Sequence, residues 1–236
     1  MGAALRAGLI GGIGKRMRMK KWMLAVSMTA LLAASAFGQS KESVLALMDK
    51  ASAKFKSVQT DFEWDQYQAV VNEHDIQRGV MYFKRAGSNV DVAADIDGLL
   101  PDRHKKLVFL GGDLKIYSFK TGQTTSQDTS KNREEIESFL ALGFGGSSRD
   151  LVKNFEISYA GMEPVSGKAT YKLELTPTSN RVKSMFNHIT LWIDPQTGMS
   201  MQQKALEGLT DYRLAKYTKI LINQRLPENA FKLKAK

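Results

Sequence analysis

The stretch 186–221, FNHITLWIDPQTGMSMQQKALEGLTDYRLAKYTKIL, decides how the rest of the chain must fold. Ile189, Leu191 and Ile193 alternate with Thr190, Trp192 and Asp194, the period-two pattern of a strand with different chemistry on its two faces. Asp194 to Gly198 then supply a side chain that caps a turn, a proline ring that fixes φ and a glycine free to take positive φ, so the chain reverses. Residues 199–206 return as a second strand, Glu207 and Gly208 reverse the chain again, and 210–221 form a third strand rich in Tyr, Thr, Leu and Ile. The apolar side chains of this meander exceed what strand seams need. One face must be covered, by the chain's own helices, a second sheet or a ligand.

Working outward, 236 residues with 43% apolar content suit one sizeable domain. The formal charge of +10 is unevenly spread: Arg6, Lys15, Arg16, Arg18, Lys20 and Lys21 precede residue 38 in a segment without acids. Of the 34 basic residues, 28 remain beyond it against 24 acidic ones, so no nucleic-acid partner is expected. Lys20-Lys21, the apolar run WMLAVSMTALLAA (22–34) and Ala34-Ser35-Ala36 follow the order of a secretory signal peptide, with cleavage after Ala36 or Gly38. That run is shorter than the ~20 residues a spanning helix needs. The expected division is upstream residues and signal peptide at 1–38 and one domain at 39–236, exported to the periplasm as a monomer. No cysteine is present, which excludes a lipobox anchor, disulfides and thiolate chemistry.

Ser40 and Glu42 open a helix, and Val44, Leu47, Met48, Ala51, Phe55 and Val58 recur at helical spacing, predicting an amphipathic helix laid across a sheet. Strands are expected at 61–71, with Phe62 and Trp64 on one face, and at 76–84, 90–96, 106–110 and 114–119. Residues 123–131 are polar and read as an exposed loop. A second helix opens at Asn132, Glu134 and Glu135, with Ile136, Phe139, Leu140 and Phe144 as apolar positions; Gly143 to Gly146 ends it. Ser147 or Ser148 caps a short third helix at 150–154, and strands at 155–160 and 169–176 lead into the meander. The fold class is α+β, an antiparallel sheet with helices on one face.

No catalytic constellation emerges. His74, His104 and His188 share no spacing that puts two on one face, and Asp91, Asp95 and Asp97 lack the glycine and terminal acid of a calcium loop. Gly11-Gly12-Ile13-Gly14-Lys15 is followed by Arg16 where a phosphate loop needs Ser or Thr. No serine sits in a nucleophile elbow. The expectation is a protein that is not an enzyme and holds no cofactor or metal. A face rich in Met and aromatic residues is either plain core or a ligand cavity, and composition does not choose between them.

The block Trp192-Ile193-Asp194-Pro195-Gln196-Thr197-Gly198-Met199, then Gln202, then Asp211 and Tyr212 ahead of a Tyr-rich strand, resembles the C-terminal half of LolA, the periplasmic outer-membrane lipoprotein carrier family. The N-terminal half agrees, with a secretory signal, a first helix ending in Phe55-Lys56-Ser57-Val58, the Phe62 strand, and Gly79-x-x-Tyr82-x-Lys84-Arg85. The resemblance runs in element order over nearly all of 41–233. It implies an unclosed antiparallel β half-barrel with an N-terminal helix (44–58) and inserted lid helices (135–154) covering a hydrophobic cavity. Arg85 matches the arginine of the family's K-R-P motif and would hydrogen-bond the closed lid, although Ala86 replaces the proline. The cavity is expected to be lined by Trp64, Met81, Phe83, Phe139, Leu140, Trp192 and Met201, with Gly143, Gly145 and Gly146 absorbing lid motion. Little chain follows Phe231, which leaves small room for the C-terminal segment some carriers use to prevent return of cargo.

The implied function is a carrier that covers the acyl chains of lipoproteins. It would receive them from an inner-membrane ABC-type lipoprotein-releasing complex and pass them to an outer-membrane acceptor. The same fold also serves a binding protein for other lipids or glycolipids, and a lipid-sensing envelope-stress regulator.

Overall fold

The computed structural model describes residues 40–98, 104–129 and 141–233. The chain divides into two compact units, Met1–Gln39 and Ser40–Lys236, and every described element belongs to the second. The expected signal peptide therefore lies outside the described residues, as do Phe139, Leu140 and the start of the inserted helical segment.

Among the described residues eleven strands form one antiparallel sheet. From β1 (Ser57–Gln68) the chain builds outward, hairpin by hairpin, through β2 (Glu73–Ala86), β3 (Asn89–Gly98), β4 (Lys105–Leu110), β5 (Asp113–Ser118) and β6 (Thr124–Asp128). It restarts at the opposite edge with β7 (Phe155–Val165) and returns through β8 (Lys168–Pro177), β9 (His188–Ile193), β10 (Ser200–Glu207) and β11 (Asp211–Ile222). There β11 zips against β1, Phe62 opposite Tyr217 and Trp64 opposite Ala215, giving the order β6-β5-β4-β3-β2-β1-β11-β10-β9-β8-β7. The edges β6 and β7 do not pair, so the sheet is an unclosed half-barrel. The expected meander is β9 to β11, and its boundaries agree within two residues.

Alternation assigns the faces. Trp64 continues across the sheet into Gln77 on β2 and, on the other side, into Ala215, Gln203 and Leu191. That row belongs to the concave face. On the convex face Tyr82, Ala93 and Val108 are covered by the C-terminal segment through Leu226, Ala230, Phe231 and Leu233. Buried Lys106 fastens this cover: its Nζ lies 3.0 Å from Asp95 Oδ1 and donates to the Asn229 carbonyl at 3.0 Å.

Helix α1 (Lys41–Lys54) starts in a capping box between Ser40 and Ser43 and buries Val44, Leu45 and Met48. It rests on the Asp194–Gly198 turn so closely that a Cβ on Gly198 would lie 2.9 Å from Ala51 Cβ and 3.0 Å from the Leu47 carbonyl oxygen. Within that turn Asp194 accepts from Gln196 N at 2.9 Å and from Thr197 Oγ1 at 3.0 Å. The D-P-x-T-G motif is thus both a reversal and a seat for the helix.

Four expectations need correction. The first helix stops at Lys54, not at 58, because Phe55 turns extended and Val58 enters β1 opposite Phe83. Residues 124–128 are not loop but edge strand β6; their side chains are all exposed, and only main-chain pairing to β5 defines them. Residues 141–145 form turns rather than helix, before α2 (Ser148–Asn154) begins under its Ser147 cap. Helix α3 (Asn180–Met185) was not anticipated, since six residues cannot display a helical period; it buries Val182 ahead of Phe186. Among the described residues no helix is long and apolar enough to cross a membrane.

Candidate functional site

The concave face has two halves of different character. Over the first, the inserted residues 141–147 reach down into the sheet. Phe144 is fully buried, stacked on Phe83 with ring centroids 4.4 Å apart and edge-on to Tyr217 at 4.8 Å. Ala141 joins the same cluster, while Leu142 packs into a second one with Leu173, Leu191 and the apolar side of α1. Phe144 thereby fills the half-barrel as a plug made by the chain itself.

Polar contacts hold the plug by its backbone. Ser200 N donates to the Gly143 carbonyl at 3.1 Å, and Gln203 Nε2 donates to the Leu142 carbonyl. The Gly145 carbonyl accepts from Arg85 Nη2 and from Ser52 Oγ, both at 2.7 Å. Arg85 also donates to the Ser52 carbonyl at 3.1 Å, and its guanidinium lies 5.2 Å over the Phe55 ring. Arg85 therefore bridges β2, α1 and the plug. Two glycines let the segment lie this close: Gly143 (φ +74) and Gly145 (φ +80) are left-handed, and a Cβ would lie 2.4 Å from Ser200 Cβ and 2.5 Å from Phe55 Cδ1 respectively.

The second half is a hollow of about 300 Å³. Its floor is apolar, built by Trp64, Met81, Leu107, Ile189, Ala215 and Tyr217. Gln66, Gln77, Gln203, Asp75 and Arg213 add polar groups, with Gln77 Nε2 donating to Asp75 Oδ2 at 2.9 Å and Arg213 Nε 2.5 Å from Glu207 Oε1. Trp64 leans on Phe62 with ring centroids 4.7 Å apart. Burial pushes the Tyr217 hydroxyl pKa far up, outweighing a hydrogen bond from Trp64 that acts the other way, so the floor carries no charge there.

A larger hollow of about 650 Å³ lies between α1, α2 and the plug. Its wall includes Asp49, Arg85, Asp150 and Lys153, and Asp49 accepts from Ser148 N and Ser148 Oγ at 2.7 and 2.6 Å. Val90, Ala141, Leu142 and Leu151 stand among these charged and polar groups, so this hollow is of mixed character.

The residues singled out in the sequence are distributed unevenly. Trp64 and Met81 line the hollow, and Phe83 lies next door under Phe144. Trp192 and Met201 are not brought to it: they cluster with Val165, on the face opposite to Leu191. Trp192 lies 5.5 Å beneath Lys172 Nζ, and Ile189, Leu191 and Ile193 take the concave positions of β9. Met201 falls at a β-bulge between Ser200 and Gln202. Sequence reading missed Tyr217, Ala215 and Gln203, whose signal is cross-strand register, Tyr217 with Phe62, Ala215 with Trp64 and Gln203 with Ala215, and it placed Phe144 in a helix.

No protein-family model matches the chain, and no curated protein sequence matches it significantly. Solved structures do. MucB is 14% identical with a TM-score of 0.50, over 83% of this chain and 62% of its own. The Mycobacterium tuberculosis lipoprotein LppX is 13% identical with a TM-score of 0.48, over 80% of this chain and 99% of its own. A LolA-superfamily protein from Nitrosomonas europaea is 14% identical with a TM-score of 0.41, over 83% of this chain and 98% of its own. At 14% identity the likeness to MucB speaks to fold alone, and the unclosed, helix-bearing half-barrel is read from this chain's own sheet.

Proposed function

We propose that this protein is a periplasmic carrier that covers the acyl chains of lipoproteins against the concave face of its half-barrel. In this reading it takes them from an inner-membrane ABC-type releasing complex, yields them to an outer-membrane acceptor and breaks no bond. The observation that most supports the reading is the continuity of the hollow's apolar floor with the surface under the plug, through Tyr217, which touches both.

A hollow of about 300 Å³ is at the small end of the about 300–1,000 Å³ that ligand pockets occupy. Several acyl chains need more room, and withdrawal of Phe144 provides it. Removing one phenylalanine from its packing costs about 3–5 kcal/mol. Each methylene taken out of water returns ~0.8 kcal/mol, so a handful of methylenes offsets the displaced plug. Gly143 and Gly145 give the segment its hinges, and Arg85 with Ser52 latches it when no chain is bound. The signal-like segment at 20–36 supports export.

The test uses spheroplasts that hold newly made, radiolabelled lipoproteins in the inner membrane, incubated with purified residues 39–236. Labelled lipoprotein in the soluble fraction, bound to the added protein, is the expected result. Binding of a fluorescent acyl probe without lipoprotein release would redirect the reading to another lipid cargo or a lipid sensor. Neither release nor probe binding would leave a packed structural sheet.

A further inference from the structure

We propose that the two hairpin tips at the open end of the hollow form a knuckle that dips into a zwitterionic lipid surface. The β1–β2 turn spans 69–72 and the β10–β11 turn spans 208–210. Because β1 pairs with both β2 and β11, the tips lie side by side, tied where Ala69 N donates to Asp211 Oδ1 at 2.9 Å. The large apolar residues at these tips face outward: Val70 is 95% exposed, Leu209 93% and Val71 55%. Single exposed apolar residues are ordinary, but three on two adjacent tips are a concentration.

The layer behind them has the composition of a bilayer interface. Tyr67 and Tyr212 lie 5.1 Å apart by ring centroids, His74 stands 4.7 Å from Tyr67, and Lys204 Nζ sits 4.3 Å over the Tyr212 ring. Tyrosine has an apolar body and a polar end, which suits headgroup depth, and a lysine stem reaches from there to water. Gln66, Asp75 and Arg213 of the hollow stand only about four residues up the strands from the tips, or about 13 Å at the strand rise. An acyl chain leaving a bilayer at the tips enters the hollow with little water to cross.

Two features favour lipid over a protein partner. The apolar residues stand on narrow turns separated by Asn72, Glu73, Thr210 and Asp211, whereas a protein pocket is matched by a contiguous patch. A fluid surface demands no such match. Glu73, Asp75, Glu207 and Asp211 outnumber Lys204 and Arg213 around the tips, which disfavours an anionic surface and selects a zwitterionic one.

The experiment is flotation of residues 40–236, the unit that holds every described element, with phosphatidylcholine vesicles. The apolar run at 22–34 is left out because it would bind vesicles by itself. The protein should float, Val70→Asp/Leu209→Asp should lose about 10-fold or more in partitioning, equivalent to about 1.4 kcal/mol, and Met162→Asp, at an exposed site on β7, should not. As a folded-state control, Leu209→Trp should shift its emission to the blue on vesicles and be quenched by brominated acyl chains. Equal flotation of the tip variant, an unquenched Trp, binding confined to anionic vesicles or no flotation would each overturn the proposal. A monomeric fluorescent acyl probe read in parallel reports the hollow separately: probe binding without flotation sinks the knuckle and spares the carrier reading, and flotation without probe binding does the reverse.

Discussion

The plugged and open halves of the concave face belong to one sheet, with the same alternation, and differ in what stands against them. In the plugged half Phe83, Val92 and Phe109 cluster with Phe144 at 1% exposure or less. In the open half β1, β2 and β10 present Trp64, Gln77 and Gln203 half-buried around a hollow. The difference lies in the side-chain heads as much as in apolarity. An amide buried without partners costs about 1–3 kcal/mol, so a surface carrying Gln66 and Gln77 resists sealing by a dry plug, while Gln203 at its border already meets the plug through the Leu142 carbonyl. That surface keeps its water, or takes a ligand whose head is polar. One half is core on loan to the chain itself, and the other is surface held open.

Substitutions in the two halves should therefore separate stability from binding. Phe83→Ala is expected to cost about 3–5 kcal/mol in denaturant unfolding, and Trp64→Ala less than about 2 kcal/mol while reducing acyl-probe affinity more than Phe83→Ala does. Equal costs and equal affinities would erase the distinction. Arg85→Met removes charged donors from the Gly145 and Ser52 carbonyls, so about 1.5–3 kcal/mol of the plug's hold should go. Hydrogen exchange should show it as faster exchange confined to 141–147, and global unfolding alone would argue that the arginine is merely structural.

Gly145→Ala puts a Cβ at φ +80 and 2.5 Å from the Phe55 ring, expected to loosen the plug by about 1–2 kcal/mol and to speed acyl-probe uptake. The neighbouring Gly146→Ala, whose Cβ would find nothing nearer than 3.7 Å, should stay within about 0.5 kcal/mol of the parent. If both glycines behave alike, close packing on α1 is not what closes the plug.

The smallest effect should come from acid. Burial raises the Glu174 pKa, but hydrogen bonds from His188 and Thr190 and the charges of His188 and Lys172 together overcome it, so the net shift is downward. A lowered folded-state pKa means stability that is present above the ordinary glutamate value of 4.5 and is lost as pH falls through the folded value. The stability gap between the parent and Glu174→Gln should thus be steady at neutral pH and shrink below about 4.5. Because Glu174 sits on the β8–β9 seam away from the plug, acyl-probe uptake should not follow the same titration.

Much of this was legible in the sequence. Strand alternation and the D-P-x-T-G turn placed β9 to β11, and Ser40 marked the start of α1, because these signals are local. Long-range matters were not. Nothing in 123–131 distinguishes a polar loop from β6, whose existence depends on a backbone partner. The apolar period of α1 runs on into Val58, where helix spacing and strand facing coincide. In the site, aromatic size drew attention to Trp192, whereas facing is set by register with β8 and β10, which favours Leu191 for the concave side. Phe144 follows from no period, since turns carry it.

The unpaired edges carry a mechanical consequence. A closed barrel has its circumference fixed by its strand number and stagger, and widening it means breaking a ladder. Here β6 and β7 end the sheet without meeting, so strand twist can change and the curvature with it while every described ladder bond survives. β6 is only five residues long and ends in Asp128, features that disfavour pairing of this edge with another strand. The sheet then behaves as a leaf spring clamped at its middle by the β1–β11 seam, with a girth that adjusts to what lies against it.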